Sequence, residues 1–281
     1  MIKNVCVVGA GTMGSGIALA AAQNNLPVIL FDINGAVITK AKTQIDSNLD
    51  FLLQKQKITL PQKVEILNHI IFTSLIEECV GDLIIEAIIE KIEAKEDIFT
   101  KLADLNDPKT ILASNTSSLS ITAIQKNLPH PERVIGMHFF NPANIMKLVE
   151  VVKGAATSEA VAKAVMDICV VMKKTPVLCN DSPGFIVNRV ARHYYLEAMF
   201  MVEKNIASAE DIDAVMESMG FKMGPFKLMD LIGMDINLAV STSLYEAFDK
   251  TERFMPSPIQ VDKVAKGELG KKTGKGFYDY S

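Results

Sequence analysis

The chain has 281 residues, 49% of them hydrophobic and 22% charged, with a formal net charge of −4. A single core stops growing at about 250 to 300 residues, so two domains are expected. The composition sits close to the globular norm of roughly 45 to 50% apolar, which excludes a disordered chain, and the acidic balance excludes a broad nucleic-acid face. Lys271, Lys272 and Lys275 still form a local basic cluster able to hold a phosphate. Cys6, Cys79, Cys169 and Cys179 show no CxxC or Cys/His spacing, so reduced, buried thiols and no metal are expected. Met1-Ile2-Lys3 leads straight into an apolar run without a leader pattern, and no run reaches the ~18 apolar residues of a membrane span. The expectation is a soluble, cytoplasmic protein with no membrane contact.

In chain order, Asn4–Val8 is apolar and β-branched, and Gly9-Ala10-Gly11-Thr12-Met13-Gly14 follows. Small residues without proline then run from Ser15 to Asn24, a strand, glycine turn and helix. Pro27–Phe31 forms a second strand ending at Asp32. Helical periodicity covers Ala36–Gln54, and a shorter helix, Pro61–Asn68, precedes a strand at Ile70–Thr73. The two helices read as an inserted hairpin with a basic tip at Lys55-Gln56-Lys57. Buried strands at Leu83–Ile85 and Thr110–Ala113 flank a charged helix, Ile92–Leu105. Further strands are expected at Val134–Phe139, Lys147–Val152 and Pro176–Cys179, with a helix over Ser158–Lys173. Strands alternating with helices predict an α/β, doubly wound, mostly parallel Rossmann-type sheet. After the turn cluster Asp181-Ser182-Pro183-Gly184 the pattern becomes helical, over Phe185–Lys204, Ser208–Met219 and about Ile236–Lys250. A boundary there gives a dinucleotide-binding domain over 1–182 and a smaller all-α domain over 183–281 for substrate and dimer contacts.

A lone GxGxxG is a weak signal, but this one follows a strand, opens a helix and is trailed by an acid at the end of the next strand. Gly9 permits the tight turn, Gly11 lets the backbone approach a pyrophosphate, and Gly14 lets helix and strand pack closely. A plain βα turn is the alternative. Asp32 is placed to accept hydrogen bonds from a ribose diol and to repel a 2′-phosphate, which favours NAD over NADP.

The segment Ala113–Glu150 carries a hydroxyl, an imidazole and a carboxylate, each at the edge of an expected strand. Together, such groups move a proton to or from a substrate oxygen. His138 ends the run Val134–Met137, where a satisfied core histidine is the alternative. Glu150 lies in the apolar run Leu148–Val152, where an unpaired carboxylate is costly, and His138 is its natural partner. Ser117, judged from spacing alone, reads first as a cap for a helix over Leu119–Lys126.

The stretches SNTSSLSI, GMHFFNPANIMKLVEV, DSPGFIVNR, MGPFKLMDLIGMDI and GKKTGKGFY closely resemble the L-3-hydroxyacyl-CoA dehydrogenases, above all the short bacterial members acting on 3-hydroxybutyryl-CoA. The likeness runs from the first strand to the last residues. It implies hydride transfer between a nicotinamide and C3 of a 3-hydroxyacyl thioester, with His138 as general base or acid and Glu150 orienting its imidazole. It further implies that Ser117 and Asn188 hydrogen-bond the reacting oxygen. The implied cofactor contacts are Gly9, Gly11, Thr12, Met13, Gly14, Asp32, Glu90, Lys95, Asn115, Ser117, Asn141 and Lys272, and Lys55 and Ser117 would meet the CoA moiety. Solvated helix faces are the plainer reading for Glu90, Lys95, Lys55 and Asn188. Two departures stand out: Asn48 where some relatives place a serine against CoA, and Asn144-Ile145 where Pro-Val is common. The resemblance also supports a homodimer, in keeping with Met-rich and Phe-rich stretches such as Met216–Met234.

Two other classes compete. A sister dehydrogenase of free hydroxy or sugar acids usually carries a different sequence around its histidine, so HFFNP counts against it. A non-enzymatic dinucleotide-binding protein would lose the acid/base pair, whereas Ser117, His138, Glu150 and Asn188 are all present.

Overall fold

Eight short runs pair into one sheet: β1 (Val5–Val8), β2 (Val28–Phe31), β3 (Ile70–Thr73), β4 (Leu83–Glu86), β5 (Ile111–Ser114), β6 (Val134–Phe139), β7 (Leu148–Lys153) and β8 (Thr175–Asn180). The computed structural model that defines them describes residues 2–280. Spatial order is β3-β2-β1-β4-β5-β6-β7-β8. All neighbours run parallel except β6 and β7, which are antiparallel. β1, β4, β5 and β6 are buried along their whole length, the near-continuous apolar runs of a sheet covered on both faces. β8 is an edge strand with mostly exposed residues, which is why it tolerates Pro176, a residue unable to donate to a ladder.

The chain leaves β1 towards β2 and β3 and returns on its other side at β4, a topological switch point beside β1. Helix α1 (Thr12–Ala22) packs on β2, and its Ile17, Ala18 and Leu19 are all buried. Between β2 and β3 lies a helical hairpin of α2 (Gly35–Gln54) and α3 (Leu60–Asn68), tied together by Lys63 Nζ at 2.7 Å from Asp46 and 2.6 Å from Asp50. A capping box of Thr59 and Gln62 starts α3. Helices α4 (Ile92–Leu105), α5 (Ile121–Gln125) and α6 (Glu159–Val171) complete this part.

The chain divides into two compact units, Met1–Ser182 and Pro183–Ser281. The second is helical: α7 (Val187–Glu203), α8 (Ala209–Ser218), α9 (Pro225–Ile232), α10 (Met234–Ala247) and α11 (Pro258–Ala265). Helices α9 and α11 are not among the sequence expectations. Each is only eight residues long and starts at a proline, which serves at a first helical turn but reads as a breaker in a sequence. Tyr195, Met199, Phe226, Met229 and Met234 form its core. Two buried carboxylates pin the C-terminal segment to that core. Asp230 accepts from the Phe277 and Tyr278 amides at 2.9 and 3.0 Å and from the Tyr280 hydroxyl at 3.0 Å. Asp213 accepts from the Tyr278 hydroxyl at 2.7 Å.

All four cysteines are free thiols. Cys6, Cys79 and Cys169 are buried, whereas Cys179, expected to be so, is half-buried because β8 has a neighbour on one side only. Among the described residues no helix is long and apolar enough to cross a membrane, and no group of three His, Cys, Asp or Glu side chains is placed to hold a metal.

Candidate active site

The carboxyl ends of the parallel strands gather the chemistry of the first unit at one edge. The register sets Val8 beside Phe31 and Glu86, and Glu86 beside Ser114. The residues that follow, Gly9, Asp32, Ala87 and Asn115, therefore share that edge. Gly9 has φ +103°, and a Cβ there would lie 2.6 Å from the Ala87 carbonyl oxygen. At Gly14 a Cβ would lie 1.7 Å from the Gly9 carbonyl oxygen, so only glycine lets α1 sit this close to β1. Gly11 is the opposite case, because a Cβ there would meet nothing within 4 Å. Beside that open space α1 begins without a side-chain cap, and its first-turn N–H groups at Thr12, Met13 and Gly14 suit an anion.

Asp32 is fixed by two amides. Its Oδ2 accepts from Ala10 N at 3.0 Å and its Oδ1 from Asn34 N at 2.9 Å. The carboxylate thus braces the glycine turn while standing at the end of β2. Tight glycines at 9 and 14, space over Gly11, an uncapped helix start and a braced acid together fit a dinucleotide.

His138 and Glu150 come from β6 and β7. They are direct partners across the antiparallel pair, and Nδ1 lies 2.7 Å from Glu150 Oε2. Both are buried, at 6% and 1% exposure. In the tautomer that carries its proton on Nδ1, the imidazole donates to this carboxylate and keeps a lone pair on Nε2. The Phe140 ring packs against the imidazole with centroids 4.4 Å apart. Asn115 Oδ1 accepts from the Phe139 amide at 2.9 Å and so ties the loop after β5 to the end of the histidine strand. Asn141 follows, exposed, before a cis bond to Pro142. Beyond it the buried ammonium of Lys174 donates to the Ala143 and Met146 carbonyls at 2.5 and 2.9 Å, gripping the Asn144-Ile145 loop.

Ser117 is not a helix cap. Helix α5 starts later than the spacing implies, and Ser120 caps it by accepting from Ala123 N at 3.1 Å. The segment Thr116–Ser118 instead wraps around the Glu90 carboxylate. Glu90 Oε1 accepts from the Thr116 hydroxyl at 2.5 Å, the Ser117 amide at 2.9 Å and the Ser118 amide at 3.2 Å. Burial opposes ionisation of Glu90, but the Lys95 charge and the Thr116 and Ser117 hydrogen bonds outweigh it and hold its carboxyl below the usual range. Lys95 does not lie on a solvated face. It is 1% exposed, with Nζ 2.6 Å from Glu86 Oε1 and 3.2 Å from Glu90 Oε2, so any cofactor contact by Lys95 competes with two carboxylates.

Glu86 is the residue that the sequence expectations leave out. It is fully buried, and its only signal in the sequence is an acid closing the apolar run Leu83–Ile85. Lys55 stands at the hairpin tip with Nζ 5.6 Å from the Phe51 ring, and Asn48, on α2, accepts from Gln44 at 3.1 Å. In the second unit Asn188 lies half-buried in the first turn of α7. Lys272 is exposed and paired with Asp235 at 2.5 Å. That pairing holds the Asp235 carboxyl below its usual range.

Comparison with known proteins finds matches over both units. Residues 4–182 match the family described as 3-hydroxyacyl-CoA dehydrogenase, NAD binding domain, and residues 184–280 match its C-terminal domain. A 3-hydroxyadipyl-CoA dehydrogenase of Escherichia coli is 45% identical over 99% of the chain, which spans 59% of that protein's length. A 3-hydroxybutyryl-CoA dehydrogenase of Clostridioides difficile is 42% identical over 99% of both chains. The crystal structure of (S)-3-hydroxybutyryl-CoA dehydrogenase from Ralstonia eutropha superposes with a TM-score of 0.95 at 38% identity, covering all of both chains.

Proposed function

The chain belongs to the 3-hydroxyacyl-CoA dehydrogenase family, and from that premise we propose that it interconverts (S)-3-hydroxybutyryl-CoA and acetoacetyl-CoA with NAD. The observation that carries this reading is the buried His138–Glu150 pair, 2.7 Å apart at the sheet edge that also holds the glycine turn. NAD, when bound, accepts or supplies the hydride at C3. In the oxidative direction His138 Nε2 takes the C3 hydroxyl proton, and in the reductive direction it returns that proton to the carbonyl oxygen. Glu150 holds Nδ1–H in place and stabilises the imidazolium, so the ring neither rotates nor changes tautomer. Ser117 and Asn188 donate hydrogen bonds to the C3 oxygen.

Gly9, Gly11, Thr12, Met13, Gly14 and Asp32 hold the adenosine and pyrophosphate side of the cofactor, with Glu90, Lys95, Asn115, Ser117, Asn141 and Lys272 as its further contacts. Lys55 meets the CoA moiety, with Ser117 reaching the thioester end. The second unit carries exposed Val190, Met219, Phe221 and Ile236, which support a homodimer through that unit. We assign the chain to the cytoplasm.

One assay tests the substrate and coenzyme together: oxidation of NADH and NADPH with acetoacetyl-CoA, longer 3-oxoacyl-CoA thioesters, a carboxylated acyl-CoA and free acetoacetate. Fast NADH oxidation with acetoacetyl-CoA and none with the free acid supports the reading. A preference for free acetoacetate contradicts it.

A further inference from the structure

Four side chains, with the hydroxyl and backbone amide of Thr116, close a ring of hydrogen bonds behind the serine loop. Glu86 Oε1 accepts from Lys95 Nζ at 2.6 Å, and Lys95 Nζ lies 3.2 Å from Glu90 Oε2. Glu90 Oε1 accepts from the Thr116 hydroxyl at 2.5 Å. The Thr116 amide donates to Ser114 Oγ at 3.3 Å, and Ser114 Oγ donates to Glu86 Oε2 at 2.7 Å. Glu86 also accepts from the Ile88 amide at 2.7 Å, which fixes the turn leading from β4 to Glu90.

From this ring we infer that Glu86 is a positioning residue for the reaction, acting through Lys95 and Glu90 to place Ser117; the inference rests on the dehydrogenase reading above. Three physical points carry it. Glu86 and Lys95 are 0% and 1% exposed, and burying such a pair costs several kcal/mol per ion, so an apolar pair of similar volume would stabilise the fold as well. The pair is therefore poorly explained by stability alone. Second, its connections converge on one short loop: both the Ser114 branch and the Glu90 branch end on Thr116–Ser118. Third, Glu90 precedes α4 on a partly exposed turn, and Lys95 is the cation that draws its carboxylate inward to meet the Ser117 amide. Without Glu86, Lys95 loses the anchor that fixes its own position. Glu86 touches neither substrate nor cofactor in this scheme.

The test uses the full chain. Glu86→Gln preserves shape, and Glu86→Gln combined with Lys95→Met removes both charges, so that no unpaired ion is left buried if the single variant fails to fold. In the ligand-free protein, either variant is expected to speed amide hydrogen exchange at Thr116, Ser117 and Ser118 while exchange in β1 stays as in the wild type. With acetoacetyl-CoA and NADH, kcat of Glu86→Gln is expected to fall by roughly tenfold to a hundredfold, the effect of misplacing a group by about an ångström, whereas the double variant, which also loses a cofactor contact at Lys95, is read by exchange alone. Because Glu86 acts through Ser117, adding Glu86→Gln to Ser117→Ala should slow turnover no further. Unchanged exchange at residues 116–118, or multiplicative effects of Glu86→Gln and Ser117→Ala, overturns the inference. A wild-type enzyme inactive on acetoacetyl-CoA overturns the substrate reading instead, and the exchange measurement still decides the role of Glu86.

Discussion

His138 stands opposite Glu150 across the antiparallel β6–β7 pair, with Nδ1 2.7 Å from Oε2 and both side chains buried. The relationship depends on strand register, because a slip of one residue turns every side chain of a strand to the other face. Gly136 opposite Val152 and Phe139 opposite Val149 hold that register. Glu150→Gln keeps the shape of the pair but can donate to Nδ1 and favour the wrong tautomer. We expect turnover with acetoacetyl-CoA to fall by about 10² to 10⁴, as when a buried carboxylate beside a catalytic histidine loses its charge. Single-turnover kinetics at saturating NADH checks this, and a loss smaller than about fivefold would argue against the orienting role.

Gly11 and Gly14 should respond differently to the same added methyl. Gly14→Ala forces a Cβ to within 1.7 Å of the Gly9 carbonyl and should destabilise the fold by about 1 to 3 kcal/mol, read as a lower urea midpoint. Gly11→Ala meets no protein atom, so its unfolding midpoint should match the wild type. Its NADH affinity, measured by fluorescence, should nevertheless drop, because the methyl fills the space the pyrophosphate needs.

Asp32 braces Ala10 and closes β2. Asp32→Ser removes a charged acceptor for the ribose diol, worth about 1.5 to 3 kcal/mol, so KM for NADH should rise by about tenfold or more. The same change removes the repulsion of a 2′-phosphate, and the NADPH/NADH ratio of kcat/KM should rise. An unchanged ratio would show that Asp32 does not read the ribose.

The depressed Glu90 carboxyl links the serine loop to acid stability. A carboxylate whose folded pKa lies below its unfolded value of about 4.3 contributes stability that is fully present above that value. That contribution is lost as pH falls through the folded value. Glu90 is partly exposed, so solvent screening keeps the effect small. Urea midpoints of the wild type and Glu90→Gln should differ most near neutral pH and converge under acid. A gap that stays constant down to strong acid would mean that Glu90 is not held ionised by Lys95 and the loop.

The cysteines should be slow to react. Burial pushes the Cys169 thiol up to about 12. Burial, with the charges of Glu150 and Asp181, pushes Cys179 up to about 11. The Cys79 contact and burial raise Cys6 as well. At pH 8 a thiol of pKa about 11 is thiolate in only about one molecule in a thousand. Ellman's reagent should therefore label the native protein slowly and the urea-unfolded protein at once.

Most of the sheet was readable because parallel strands covered on both faces are unbroken apolar runs, and Val134–Phe139 stands where its run placed it. The glycine turn was readable because Gly9 and Gly14 answer backbone demands that a side chain cannot meet, and Gly11 keeps open the space beside the helix start. The cap of α5 was not. Ser117, Ser118 and Ser120 are all good caps by type, and only the pull of Glu90, distant in sequence, decides that Ser117 turns elsewhere. Glu86 and Lys174 escaped for a related reason. Their partners lie 28 to 31 residues away or across an element, so their charges look like ordinary surface. Glu150 drew attention because it interrupts an apolar run, whereas Glu86 only ends one.

The most direct test of the central claim compares His138→Ala with the wild type for NADH binding and for single-turnover reduction of acetoacetyl-CoA. The account predicts NADH affinity within about threefold and turnover lower by about 10² to 10⁴, the usual size of a general acid/base contribution. Wild-type turnover in that variant would contradict the account.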